Sequence, residues 1–524
     1  MSQANYSSAS DPANLAFLKK QFREDEEAGH AMGPFPTLTA LASALHVDES
    51  DVILGPLAVR DEDDGVGGLK KRAIFDGSAA GITAAIRSHI HVKGDCPLGA
   101  DALHVMTILD NSGEQFGFLK IDGKQAHRWP RVSFKDLRYT CVQLGDDEFW
   151  ANLGGTYGVG SADFYWRRLM GLVHRLLMRM ELMLWALTFV DDLLGFLAKS
   201  RFWLLSSTVI ATLMALGFPV SWKKLVASMV TAWTGHVARA SPPSLAPSRD
   251  KLEKVTAFLE KVAAGQLLAS DVIGTGVGRL RWCTSTMPGA TPFLQPLHQW
   301  NAAVTRAGRP GALHRMIAQL LLKFIAEAPC RKASYVPPSP GEAASDAHAT
   351  DTEAAIGGWA TLSPTATKSE VYWFSISLQR ARFPWIWDRG SCPKRLIGAV
   401  ELLAVVFLIK LVAFLKPGPL HILSRVQSHI DNQGDAFSLL REYSRTLPAA
   451  LVHMEAAMLA ERTGVTLNAS HVHREGNRWA DALANGDLEG FEPHLRFEPA
   501  LDGSCFIILD ALLATWRRSR RHIG

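Results

Sequence analysis

Cysteine is scarce in this 524-residue chain. Its six residues, Cys96, Cys141, Cys283, Cys330, Cys392 and Cys505, stand far apart with no C-x-x-C pair. That spacing argues against a zinc ribbon or a disulfide framework and suits a reducing, intracellular compartment. Charge of one sign is also lacking: 55 lysines and arginines face 51 aspartates and glutamates, a formal net charge of +4. This excludes a histone-like basic protein, but not a nucleic-acid enzyme that balances basic grooves against acidic metal sites. No internal repeat is visible. Met1 to Lys20 shows no basic segment followed by an apolar one, so no signal peptide is expected. Long hydrophobic runs are few. Phe202–Trp222 carries no charge and is long enough to span a bilayer, but its Ser, Thr, Gly and Pro content reads as a buried helix ending at Gly217. Leu402–Leu415 is broken by Lys410. No membrane segment is expected.

What is present describes a folded chain of several domains. Hydrophobic residues make up 48% and charged residues 20%, ordinary for globular proteins, and the length is about three to four times a single domain. Residues 1–50 read as a loose polar leader with one helix near Leu15 to Glu27. Residues 51–240 and 241–335 read as mixed α/β. A Pro-rich stretch, 336–344, reads as a linker. A second α/β region follows over 345–490, then an extension over 491–524. Its basic tail, Arg517–Arg521, fits a nuclear signal, a nucleic-acid contact or a solvated end, so the chain is expected in the cytoplasm, the nucleus or both.

Two regions concentrate carboxylates. In the first, alternation makes Phe116–Asp122 a strand that delivers Asp122 at its end. Asp191 and Asp192 interrupt the apolar run Leu187–Leu194. Burying two charges there is costly unless they are paired or bind metal. A hairpin resolves the conflict, with its strands in the core and its acids at the turn. Three carboxylates converging on one edge would hold two Mg²⁺ ions (or Mn²⁺), since hard cations prefer oxygen ligands and paired metals stabilise in-line phosphoryl transfer.

Phe189-Val190-Asp191-Asp192 resembles the aromatic-x-Asp-Asp box of retroelement reverse transcriptases, and Asp122 resembles that family's upstream metal-binding Asp. Further motifs resemble the family in order. Lys70–Asp76 looks like the fingers strand, in which Lys71 and Arg72 would hold the triphosphate. Gly155–Ala162, with Gly158 and Ser161, looks like the loop and helix that hold template and primer. Leu216–Lys224 looks like the motif whose lysine protonates pyrophosphate; Lys224 is preferred, with Lys223 open. Trp233-Thr234-Gly235 looks like the primer-grip hairpin, and Gly278–Trp282 sits where the thumb or connection begins. One departure is His127, at a position where many relatives carry an aromatic residue that excludes ribonucleotides, which leaves sugar discrimination open.

The second region offers four acids in separate contexts. Asp346 precedes a strand–turn–strand pattern, Glu401 opens an apolar helix, Asp431 ends a strand-like run, and Asp481 follows His471-Val472-His473. This resembles the ribonuclease H domain of retroelements, whose D-E-D-D set Asp346, Glu401, Asp431 and Asp481 would supply, again around two Mg²⁺. Asp351 competes with Asp346 for the first place. His471, ten residues before Asp481, is preferred over His473 for proton transfer or product release, and Asn477 would orient the loop.

The resemblance implies an α/β (α+β) architecture. It would comprise a right-hand polymerase (fingers and palm over 51–240, thumb and connection over 241–335) with an antiparallel palm sheet, then an RNase H-like mixed-sheet domain. It implies an RNA-directed DNA polymerase coupled to a hybrid-cleaving nuclease. Its partners would be an RNA template, a DNA primer, dNTPs and the RNA–DNA hybrid. The competing readings are a co-opted nucleic-acid binder without polymerase activity and a protein in which only the nuclease works. No aspartic-protease Asp-Thr/Ser-Gly box and no integrase His/Cys pattern is found.

Overall fold

The computed structural model describes residues 5–63, 69–87, 96–327, 330–333, 338–361, 363, 366–388, 392–415, 424–430, 444 and 446–521. They form two compact α/β units. One comprises Met1–Val105, Gly113–Thr234 and Ala238–Ser241; the other comprises Met106–Ser112, Gly235–Val237 and Pro242–Gly524.

After one short helical turn, Ser7–Ser10, the first unit opens with the long helix α1 (Pro12–Glu27). Asp11 caps it by accepting from the Ala13 and Asn14 N–H groups, and Pro12 takes the first helical position, where no N–H is needed. The leader is therefore more ordered than its polarity implied. Leu18 and Phe22 bury one face of α1 against Val142, Leu144 and Trp150. Strands β1 (Ala31–Phe35), β2 (Leu57–Asp63) and β3 (Leu69–Phe75) follow, and β2 and β3 form a hairpin. Next come β4 (Phe116–Asp122), β5 (Cys141–Leu144) and β6 (Glu148–Asn152), of which β5 and β6 form a three-stranded sheet with β1. Helix α2 (Gly160–Arg179) leads to β7 (Trp185–Phe189) and β8 (Asp192–Ala198). Helix α3 (Phe202–Ala215) then leads to β9 (Val226–Ser228).

The strands β7, β8, β4 and β9, in that order, make an antiparallel sheet. Trp166, Met170, Val173 and Leu177 of α2 and Phe202, Leu205, Val209 and Leu213 of α3 share a core with its Leu119, Ile121, Leu193 and Leu197. Those helix positions recur at three and four residues, one amphipathic face each. The uncharged run from Phe202 thus forms a helix followed by Gly217 at φ +66°, as expected.

The second unit holds helices α4 (Arg249–Ala263), α5 (Ser270–Thr284), α6 (Leu294–Ala303) and α7 (Ala312–Glu327). A five-stranded sheet follows, built from β10 (Pro338–Ala349), β11 (Ala354–Ala360), β12 (Tyr372–Ser377), β13 (Ser424–Ile430) and β14 (Val465–His471) in the order β12-β11-β10-β13-β14. Strand β10 pairs antiparallel with β11 and parallel with β13. Helices α8 (Ile397–Leu415), α9 (Ala449–Thr463), α10 (Arg478–Ala484) and α11 (Leu509–Arg521) complete the unit.

Three expectations change here. Pro338–Gly341, read as linker, begin β10, with Pro338 beside Arg425 of β13; residues 336 and 337 lie outside the described residues. One buried core then runs from Val255 through Ile356 and Leu403 to Trp516, so regions 241–335 and 345–490 do not form separate compact bodies. Finally, α11 of the C-terminal extension belongs to that core. The buried Glu455 of α9 accepts hydrogen bonds from the Ile507, Ile508 and Leu509 N–H groups at 2.7–3.0 Å, capping the start of α11. Pro393–Leu415 is long and apolar enough to cross a membrane by length and composition, yet Leu402–Ile409 are all buried in the core. Lys410 stays within this helix by donating to the Cys505 carbonyl, with Phe407 and Phe506 beside its ammonium.

Candidate active site

The first unit brings its three acids to one edge of the β4–β8 sheet. Asp122 and Asp192 are cross-strand partners at the ends of β4 and β8, and Phe189 opposite Asp192 closes a two-residue turn, Val190-Asp191. Val190 sits at φ +54°, a conformation a β-branched residue adopts only when its surroundings enforce it. They do so through the backbone. The buried Trp166 indole donates to the Val190 carbonyl at 3.1 Å, and the Gly123 N–H donates to the Asp191 carbonyl at 2.9 Å. A Cβ at Gly123 would meet the Trp166 ring at 2.7 Å, so glycine is required there.

Electrostatics mark the cluster as frustrated. Asp122 is 5% exposed and accepts from the Lys224 ammonium at 2.8 Å. Lys223 is exposed and makes no such bond, so Lys224 is the lysine that meets the acids. Lys224 stays protonated more tenaciously than usual: burial is the largest influence and pulls the other way, but the hydrogen bond to Asp122 and the charges of Asp122, Asp192 and Asp191 together outweigh it. Burial and the Asp122 charge raise Asp191. Burial, with Asp122 and Asp191 adding, pushes Asp192 up to about 6 against the opposing pull of Lys120. The Asp192 Oδ1 atom is buried without a hydrogen-bond partner, and the nearest ammonium, of Lys120, stands 4.0 Å away. An all-oxygen donor set with an orphaned buried oxygen suits a hard cation such as Mg²⁺ or Mn²⁺. Among the described residues, no three His, Cys, Asp or Glu gather as a ready metal-ligand group.

Beside the acids lies a cationic cavity of about 130 Å³, lined by Gln21 and Asp25 of α1, Lys70, Lys71 and Arg72 of β3, and Gln125 and Arg128. Arg72 lies over the Tyr157 ring at 4.5 Å and donates to Glu62 at 2.8 Å; Lys71 donates to Asn14 of α1. The His127 ring meets Tyr157 edge-on at 5.0 Å, and burial holds its pKa below the usual range. Gly158, at φ +105°, lets the loop lie against β3, since a Cβ there would overlap the Phe75 carbonyl at 2.0 Å. Ser161 sits in the first turn of α2. Trp233, expected to contact substrate, is 1% exposed and packs as a core residue, because the strand Val230–Trp233 turns it inward.

Sequence reasoning missed what holds this cavity together. The buried Arg128 donates to Asp25 at 2.7 Å and to Asn152 at 2.8 Å. Asp25 lies 103 residues from Arg128, so no local pattern could reveal the pair. The contribution of Trp166 is equally silent: its spacing marks a core position, whereas its indole N–H holds the turn.

In the second unit, Asp346 is on β10, 7% exposed, and accepts from the Ala347 N–H at 2.8 Å. It lies opposite Gly357 of β11. A Cβ at Gly357 would meet the Ala484 nitrogen at 2.3 Å, so that glycine admits α10, which carries Asp481, onto the strand pair. Asn485 donates to the Asp481 carbonyl and carboxylate at 2.8 and 3.3 Å. Asn477 donates to the Ser345 carbonyl at 3.4 Å. Glu401 is half-buried on α8, which packs against β10 and β11. Asp431 lies outside the described residues. His471 pairs with Ile430, the residue before it, and its exposed ring meets His473 at 5.8 Å. Asp351 instead lines a cavity of about 710 Å³ with His348, Glu353, Arg380 and Trp387.

No protein-family model matches the chain, and no curated protein matches it. It is similar to solved structures of foamy viral protease–reverse transcriptase. The dRH form in complex with double-stranded DNA shares 11% identity at TM-score 0.48, covering 90% of this chain and 72% of that one. The complex with an RNA/DNA hybrid shares 10% at 0.47, covering 90% of this chain and 55% of that one. A further double-stranded DNA complex shares 10% at 0.45, covering 90% and 85%.

Proposed function

We propose that the first unit is an RNA-directed DNA polymerase and that the β10-centred sheet of the second unit is an RNA–DNA hybrid nuclease. The observation that carries the first half is the edge where Asp122 faces Asp192, Asp191 occupies the turn, and Lys224 binds Asp122. In this reading β4, β7, β8 and β9 are the palm, and the β2–β3 hairpin belongs to the fingers. Asp122, Asp191 and Asp192 would hold two Mg²⁺ (or Mn²⁺), which when bound activate the primer 3′-hydroxyl and neutralise phosphate charge. The chain's own groups do the rest. Lys71 and Arg72 bind the triphosphate of the dNTP, His127 and Tyr157 border its sugar, and Lys224 carries a proton on Nζ for the pyrophosphate leaving group.

Support for the nuclease half is the sheet order together with the packing of both α8 and α10 on β10, elements that carry Glu401, Asp481 and Asp346. Asp431 would complete that set at the end of β13, with His471 on the neighbouring strand. Recognition of template and hybrid would rest on backbone, groove shape and 2′-hydroxyls rather than base sequence.

Primer extension on an RNA template with Mg²⁺ and dNTPs tests the first half. Incorporation should occur and should fall by at least about a thousandfold in Asp191→Asn. No incorporation, or equal incorporation by the variant, overturns it. Cleavage of the RNA strand in a labelled hybrid should survive Asp191→Asn and vanish in Asp346→Asn and Asp481→Asn; cleavage unaffected by the latter two overturns the second half.

A further inference from the structure

Helix α2 buries one face and leaves the other bare. Ala162, Trp166, Met170, Val173 and Leu177 are buried, whereas Tyr165, Leu169, Leu172, Leu176 and Met180 are between 37% and 61% exposed. Single exposed apolar residues are ordinary, but a contiguous row is not. Tyr165 and Leu172 repeat at seven residues, as do Leu169 and Leu176. With the leucines Leu169 and Leu176 at heptad position a, Tyr165 and Leu172 fall at d, and Arg168 and Arg175 both fall at g.

The flank is as one-sided as the row. The e positions flanking it on the other side, Trp166 and Val173, are buried in the core, and only Met180, just past the last turn, is an exposed e position. The only acid in α2, Asp163, is taken by Arg167 at 2.8 Å. Arg168 rests over the Phe164 ring at 5.1 Å, and among the described residues neither Arg168 nor Arg175 has an acidic partner within ion-pair distance.

We propose that this face docks one amphipathic helix from another protein, with an apolar a/d row flanked by glutamates or aspartates. Charge complementarity selects that occupant. A second copy of this chain, packed antiparallel, would set arginine against arginine; packed parallel, it would aim Arg168 and Arg175 at e positions that are buried or, at Met180, uncharged. An anionic bilayer needs an apolar face wider than a single a/d seam. Nucleic acid would match the arginines but leave the aliphatic row without an apolar partner.

The probe is a labelled, amidated peptide of about three heptads, leucine at a and d and glutamate at e and g, with a control carrying lysine at e and g. Its binding to the full chain is followed by anisotropy below the concentration at which the peptide self-associates. The glutamate peptide should bind at least about tenfold more tightly than the lysine peptide, and more weakly at high salt. Leu172→Asp with Leu176→Asp should abolish binding. Arg168→Glu with Arg175→Glu should reverse the preference to the lysine peptide, a gain that misfolding cannot produce. Equal binding of the two peptides, or no reversal, overturns the proposal. So does light scattering that shows a dimer split by Leu172→Asp, or co-sedimentation with phosphatidylserine vesicles that the same variant abolishes. None of these readouts depends on polymerase or nuclease activity.

Discussion

Asp192 is held in the folded chain at some cost when no cation is bound, and that cost has a defined pH dependence. Its pKa rises from 3.8 to about 6 on folding, chiefly through burial. An acid raised in this way binds its proton more tightly when folded, so stability falls as pH climbs from about 4 to about 6 and stays reduced above. Asp192→Asn should therefore stabilise the cation-free chain by about 1–3 kcal/mol at pH 7, and the gain should fade towards pH 4. Urea unfolding with a chelator at both pH values measures it; no gain at pH 7 contradicts the burial argument. At Gly158 the constraint is steric rather than electrostatic. Gly158→Ala places a Cβ at 2.0 Å from the Phe75 carbonyl at φ +105°, so it should cost about 2–4 kcal/mol and, under the proposed polymerase function, raise the apparent KM for dNTP by shifting Tyr157. Thermal melts and steady-state incorporation together check both parts.

Among the elements, α1 and α11 carry more weight than their terminal places imply. The Asp25–Arg128 pair ties α1 to the loop bearing Gln125 and His127. Asp25→Ala leaves a buried guanidinium without its carboxylate, a loss of about 3–5 kcal/mol, and Asp25→Glu should recover much of it in urea unfolding. Glu455→Ala removes the partner of three N–H groups at the head of α11 and should cost about 2–4 kcal/mol in the same assay.

The strands and helices at the site were legible because alternation and helical spacing depend on neighbours in sequence: Phe116–Asp122, the Asp191-Asp192 turn and the Phe202 helix all follow local pattern. What escaped depends on distant partners. Asp25 and Glu455 meet partners 103 and 52–54 residues away, which no local pattern marks. Trp233 resembles a primer-grip residue that meets substrate until the strand's inward face is fixed. Pro338–Gly341 have the composition of a linker, and their pairing with β13 comes from a strand more than 80 residues on. The core of the second unit overrides their local preference for irregular structure.

For the whole molecule, the sharing of one core by residues 242–327 and the β10-centred sheet sets the cooperativity of unfolding. Calorimetry should resolve two transitions, with the helices α4–α7 melting together with that sheet, and Glu455→Ala should shift only one of them; three transitions would contradict the shared core. The second unit should also lose stability in acid. His453 is buried beside Ser444, and burial lowers its pKa to about 4. A histidine lowered on folding stabilises above its unfolded value near 6.5, and that contribution is lost as pH falls from about 6.5 to about 4, at up to about 1.4 kcal/mol per pH unit. His453→Gln should flatten this slope in melts across that range.

The seating of α8 has a consequence for how the chain is made. Its apolar surface emerges during synthesis well before some of the groups that cover it: the carbonyl that receives Lys410 belongs to Cys505, 95 residues later. At roughly 5–20 residues per second, that interval lasts about 5–20 s. Strands β10 and β11 emerge before α8, but the face that α9 and Phe506 cover stays bare for much of that interval, on a segment with the hydropathy of a membrane anchor. The chain should therefore lean on cotranslational chaperones more than its finished surface implies, and a ribosome stalled before Cys505 should display α8 to chaperones that release it once Cys505 and Phe506 emerge.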